Sequence, residues 1–97
     1  MNEITPQELR KMMDEGVKFT LIDVREQYEF DEANMGGILI PLGSVIDRHE
    51  EIPKDTPVVI HCRSGARSAT AIRELENRFG YTNLSNLKGG ILAWQNS

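Results

Sequence analysis

An α/β fold is what this sequence predicts: one domain over residues 1–97, with short strands alternating with helices around a mostly parallel sheet. Three observations carry the expectation. The 97 residues, 39% of them apolar, suffice for one core and are too few for two ordinary domains. Brief β-prone runs alternate with segments whose apolar residues recur at helical spacing, a pattern that implies parallel pairing through right-handed crossovers. No internal repeat, low-complexity tract or linker breaks the pattern into units.

The elements follow in order. Thr5 as N-cap, Pro6 at the first helical position and Glu8 three residues after Thr5 spell a capping box, with Ile4 and Leu9 as its hydrophobic staple. Leu9, Met12 and Met13 continue that helix to a stop at Gly16. Phe19 to Val24 is a nearly continuous apolar run, as expected of a strand covered on both faces, with Asp23 near its end. Arg25 to Glu32 fits a short helix. Gly36-Gly37 punctuates, and Ile38-Leu39-Ile40 reads as a brief strand that Pro41 terminates. Pro57 to Cys62 is the strongest strand signal and runs directly into Arg63-Ser64-Gly65. Ala71, Ile72, Leu75 and Phe79 then line one face of a helix from about Arg67 to Phe79, ended by Gly80. Leu84 to Leu87 is a weaker strand, and Gly89-Gly90 opens a short terminal helix carrying Leu92 and Trp94.

Charge and composition exclude several functions. A charged fraction of 27% with both signs interspersed and a net charge of -4 describe neither a nucleic-acid binder nor a membrane-surface protein. The start, Met1 to Pro6, has neither a basic stretch nor an apolar core of the kind that directs export, so the expected compartment is the cytoplasm. One cysteine allows no intramolecular disulfide and no multi-cysteine metal site, and no cofactor is implied.

That cysteine is placed for chemistry. A lone cysteine is by default a small core hydrophobe. Cys62, however, follows a strand, opens a glycine-containing loop and precedes a helix, so several backbone N–H groups and a positive helix end converge on it. With Arg63 and Arg67 nearby, its pKa is expected below the ordinary thiol value. In a parallel sheet, ligands sit beyond the carboxyl ends of the strands, where Cys62 lies.

The segment His61-Cys62-Arg63-Ser64-Gly65-Ala66-Arg67-Ser68 resembles the active-site loop of the rhodanese family. Leu21-Ile22-Asp23-Val24-Arg25-Glu26 with Tyr28-Glu29-Phe30, Ile38-Leu39-Ile40-Pro41-Leu42, and Leu87-Lys88-Gly89-Gly90 with Trp94 resemble further signatures of that family, in its order. The resemblance implies five parallel strands flanked by helices on both faces. It also implies a reaction in which Cys62 takes sulfane sulfur from a small donor such as thiosulfate or polysulfide. A thiol, cyanide or a protein acceptor then receives that sulfur. Arg63, Ser64, Gly65, Ala66, Arg67 and Ser68 would form the cradle, with Arg63 and Arg67 meeting an anionic donor and Arg67 also able to pack against a carboxylate. Asp23 and Arg25 would brace the loop from the neighbouring strand end; the alternative for them is a local turn pair capping the next helix. Glu29 either joins that brace or lies on a solvated helix face.

Adjacent strand residues point to opposite faces, so the His61 ring is expected to miss the Cys62 sulfur. His49 is expected at the surface, and Trp94 packing the terminal helix. One departure stands out: where the family often has glycine-histidine-isoleucine-proline-glycine, this chain has Ala33-Asn34-Met35-Gly36-Gly37. Among rivals, rhodanese-fold phosphatases place five residues between cysteine and arginine; here four, Arg63 to Ala66, separate Cys62 from Arg67. Arsenate reduction shares that difficulty, and a non-catalytic module would not need an intact cysteine loop. With no second cysteine to resolve a persulfide internally, the sulfur acceptor must be external.

Overall fold

Local signals at the start decide where the first helix begins. The structure, a computed structural model, describes residues 1–97. Helix α1 spans Pro6–Asp14; Thr5 Oγ1 accepts from the Glu8 N–H at 3.1 Å and Glu8 Oε1 accepts from the Thr5 N–H at 2.9 Å, closing the expected capping box. Ile4 and Leu9, the expected staple, are both buried, while Met13 lies exposed. Gly16, just past the helix, takes a positive φ of 69°.

Ile4 also ends a strand that the sequence pattern does not announce. Strand β1, Asn2–Ile4, pairs in parallel with β5, Leu84–Leu87, at Ile4↔Leu87. The expected elements are all present: β2 (Thr20–Asp23), α2 (Gln27–Glu32), β3 (Ile38–Leu39), β4 (Val58–His61), α3 (Ala66–Phe79) and α4 (Gly90–Gln95). Between β3 and β4 run two 3-10 turns, Leu42–Ser44 and His49–Glu51. No helix is long and apolar enough to cross a membrane.

The five strands lie in the order β1-β5-β4-β2-β3, all parallel. Alternation along β4 divides the core. Val58 and Ile60 pack with Ala71, Ile72 and Leu75 of α3, while Val59 packs on the other face with Leu9 of α1 and Leu87. Each fully buried Leu or Ile contributes about 1.5–3 kcal/mol. From β4 the chain crosses through α3 to β5 on one side; from β2 it crosses through α2 to β3 on the other. The carboxyl ends of β2 and β4 therefore flank the point where the connections diverge, which is where a parallel sheet opens a crevice.

Candidate active site

Cys62 follows the last residue of β4 and packs on the α3 face with Val58 and Ile60, only 1% exposed. Gly65 turns the chain into α3 with φ 110°. Space is not what demands glycine there, since an added Cβ would come no closer than 3.8 Å to a neighbour; the conformation is. That turn aims the Gly65 N–H at Cys62 Sγ, 3.1 Å away, and Ser68 Oγ lies 3.4 Å from the same sulfur. Burial pushes the thiol pKa up. Hydrogen bonds from the Ser68 hydroxyl and from the backbone N–H groups of Ser68, Gly65 and Ser64 pull it down and prevail, so it lies below the ordinary thiol value. Arg63, Ser64 and Ala66 are exposed, Gly65 and Arg67 half-buried, and Ser68 fully buried.

The two loop arginines part company. Arg67 forms a bidentate pair with Glu29 of α2, Nη1 to Oε1 at 2.7 Å and Nη2 to Oε2 at 2.9 Å. Glu29 Oε1 also accepts from the Glu26 N–H at 3.0 Å. The hydrogen bonds donated by Arg67 hold the Glu29 carboxyl down to about 2, and the same bonds push the guanidinium pKa up. Glu29 is thus no solvated face residue; it ties α2 to the cysteine loop. Arg63 forms no ion pair. It lines a cleft of about 420 Å³ between the loop, α2 and α4, together with Arg25, Tyr28, Glu29, Glu32 and Leu92.

Asp23 and Arg25 look inward. The Arg25 guanidinium meets both Asp23 carboxylate oxygens at 2.8 to 3.1 Å, and the Arg25 N–H donates to Asp23 Oδ1 at 2.9 Å. The remaining guanidinium bonds reach Glu29 O at 3.4 Å and Ala33 O at 2.7 Å. All of these bonds stay within residues 23–33, so the pair holds α2 rather than the cysteine loop, and the local alternative describes it better than direct bracing. His61 lies across the register from Asp23, and its ring points away from Sγ, as the pleat requires. Its Nδ1 is 3.2 Å from Cys62 O, whereas Nε2, 3.7 Å from Asp23 Oδ2, has no hydrogen-bond partner. Burial lowers the His61 pKa against the opposing pull of Asp23.

Sequence reasoning missed two supports. The first N–H groups after Gly90 hold the loop from behind: Ile91 N donates to Cys62 O at 3.0 Å and Leu92 N to Arg63 O at 3.2 Å. Gly90 has φ 60°, and a Cβ there would sit 2.3 Å from Arg63 O and 2.6 Å from Cys62 O, so only glycine lets α4 approach. The Gly89-Gly90 doublet was the available signal, but the partner it approaches is visible only in the fold. The second support is Asn86, whose Nδ2 donates to Gly65 O at 3.1 Å and whose Oδ1 accepts from Ser68 Oγ at 2.6 Å. Nothing in a weak strand singles it out.

Three peripheral expectations also meet the structure. His49 is half-buried rather than at the surface, its ring stacked on Phe79 at 3.7 Å. Trp94 packs α4 onto the Leu9–Leu87 cluster, with the Arg10 guanidinium 4.0 Å from its ring centroid. In the departing segment Ala33–Gly37, Asn34 Nδ2 donates to Phe30 O and its Oδ1 accepts from the Gly36 N–H, closing the end of α2, while Ala33 borders the cleft.

Comparison with known proteins bears on the family and the fold. Residues 5–97 match the rhodanese-like domain family. A sulfurtransferase of Allochromatium vinosum is 39% identical over 95 residues, covering 97% of this chain and 88% of that protein. The Mycobacterium tuberculosis protein named "Probable adenylyltransferase/sulfurtransferase MoeZ" is 38% identical over 94 residues, 94% of this chain but 24% of that protein, so the chain spans about a quarter of that relative's length. The crystal structure of a rhodanese-like domain protein from Staphylococcus aureus superimposes with a TM-score of 0.88 at 30% identity, covering 97% of this chain and 91% of that one. With a family match along nearly its whole length and a five-stranded parallel sheet to carry it, the chain belongs to the rhodanese-like domain family.

Proposed function

We propose that the chain is a sulfurtransferase in which Cys62 carries sulfane sulfur as a persulfide between a small anionic donor, such as thiosulfate, and an external thiol. The observation that carries the reading is the cradle: a sulfur with the Gly65 N–H at 3.1 Å and the Ser68 hydroxyl at 3.4 Å, at the head of the 14-residue helix α3. In the first step the Cys62 thiolate attacks the outer sulfur of thiosulfate. The Cys62–sulfur bond forms as the sulfur–sulfonate bond breaks, and sulfite leaves with the bonding pair. In the second, an acceptor thiolate attacks the outer persulfide sulfur, leaves as its own persulfide and returns Cys62 to thiolate. Splitting one transfer into two is nucleophilic catalysis, and the loop N–H groups stabilise the anion at each stage.

Of the loop residues Arg63 to Ser68, Arg63 is the one whose cation is uncommitted at the cleft, and we assign it the donor anion; Arg67 fastens α2 to the loop. Cys62 is 1% exposed, which favours slender reactants: a small thiol or an extended chain end bearing one. A reducing, cytoplasmic setting supplies such thiols. The phosphatase alternative is less well supported, because the arginine it would use, Arg67, is bound to Glu29 and is separated from the cysteine by four residues rather than five.

Incubated with thiosulfate and freed of excess donor, the protein should gain the mass of one sulfur atom, removable by cyanide or by a reducing thiol, and Cys62→Ser should gain nothing. A folded protein that forms no adduct, or that turns over a small aryl phosphate through Cys62, overturns the reading.

A further inference from the structure

One hydrogen in the cysteine loop has competing destinations. Ser68 Oγ lies 3.4 Å from Cys62 Sγ, 3.2 Å from Gly65 O and 2.6 Å from Asn86 Oδ1, and a hydroxyl has a single hydrogen to donate. The Asn86 amide is oriented by its own bond, Nδ2 to Gly65 O at 3.1 Å, because the flipped amide would set two acceptors against each other there. The atom facing Ser68 is therefore the amide oxygen. Two oxygens 2.6 Å apart require the hydrogen between them. While it stays there, Ser68 turns a lone pair toward Cys62, which suits a thiol S–H and opposes a thiolate. Ser68 is 0% and Asn86 4% exposed, so solvent does not supply the missing donor.

We propose that Asn86 is a positioning residue that decides which protonation state of Cys62 the Ser68 hydroxyl serves: it keeps the hydrogen on its own carbonyl while Cys62 is a thiol and yields it to the sulfur when the thiol proton leaves to solvent. Its bearing on turnover rests on the proposed sulfur transfer, but the competition itself does not. In that reaction the thiolate stage draws the hydrogen onto Sγ. The persulfide carries its charge on the outer sulfur, so the hydrogen returns to Asn86, and the hydroxyl changes partner once in each half-reaction.

The charged or titratable groups around the sulfur are Arg63 and Arg67 on the loop, Glu29 bound to Arg67, and Asp23, Arg25 and His61 at the ends of β2 and β4. Arg67 senses the Cys62 charge. Strand β5 and helix α4 carry no titratable side chain. None of these groups changes when Asn86 or Ser68 is replaced.

The test is the pH dependence of Cys62 alkylation by iodoacetamide, which needs no sulfur donor, in wild type, Asn86→Ala, Ser68→Ala and the double variant. Ser68→Ala should move the midpoint to higher pH. Asn86→Ala frees the hydroxyl, and below the midpoint it should raise the thiolate fraction about twofold to tenfold, the worth of one hydrogen bond. In the Ser68→Ala background that gain should vanish, leaving only the lost grip on Gly65. Equal shifts from Asn86→Ala in both backgrounds, or coupling of the opposite sign, overturn the proposal. Should Asn86→Ala not fold, Asn86→Asp serves: its carboxylate holds the hydrogen harder, so the midpoint should rise more when the serine hydroxyl is present than in the Ser68→Ala background, and equal rises overturn it. Sulfur loading that fails while the coupling is found would count against the sulfur transfer alone.

Discussion

The carboxyl ends of β4 and β2, neighbouring interior strands of the sheet, use their polar groups in opposite ways. Beyond β2, Asp23 and Arg25 satisfy each other and the end of α2, with side chains 1% and 5% exposed. Beyond β4, the loop donors gather on a sulfur, and Arg63 stands unpaired at the cleft. The first strand end is closed and holds structure; the second keeps donors in reserve for charge. The contrast shows how a site forms beside its own support: what is paired internally cannot serve a ligand.

The largest effect expected from this division is on stability. Arg25→Ala leaves a buried Asp23 carboxylate unpaired, and breaking such a pair costs about 3–5 kcal/mol. Chemical denaturation measures the loss, and the alkylation midpoint of Cys62 should hardly move because none of the Asp23 or Arg25 bonds reaches the sulfur. A midpoint shift as large as that of Ser68→Ala would erase the distinction between the two strand ends.

Next in size is Arg63→Ala, which should slow sulfur loading from thiosulfate by about tenfold to hundredfold, as loss of one charge-assisted hydrogen bond would. Loading from an uncharged organic polysulfide should change far less. Equal losses with both donors would remove Arg63 from the anion site.

The smallest effect concerns the bridge between the regions, Glu29–Arg67. The Glu29 carboxyl is lowered from 4.5 to about 2 in the folded state. A depressed carboxyl contributes stability that is complete above its unfolded value and disappears as pH falls through the folded one. The pair is partly solvated, so the contribution is modest. Thermal unfolding followed from neutral pH down to about 2 should show wild type losing more than Glu29→Gln across that window; parallel curves would mean that the pair contributes nothing.

Much of this arrangement was legible in the chain because local rules produced it. The Thr5–Glu8 capping box, the stop at Gly80, the strand entering Cys62 and the turn of the His61 ring away from the sulfur need only neighbours in sequence. Strand β1 escaped because only one of its three residues, Ile4, is buried, and pairing with β5 rather than propensity makes it a strand. The partner of Arg67 lies 38 residues away, so a carboxylate for that arginine could be expected from the resemblance, but that Glu29 supplies it could not be read from the chain. Asn86 and Gly90 depend on which backbone the fold lays against them, which no short motif states.

The central claim is that sulfur rides on Cys62, and thiosulfate radiolabelled in its outer sulfur tests it most directly. In a single turnover, label should appear on the protein at no more than one atom per chain as sulfite is released in equal amount, then pass to an added thiol. Label that binds without sulfite release, or that loads the Cys62→Ser variant equally, would contradict the account.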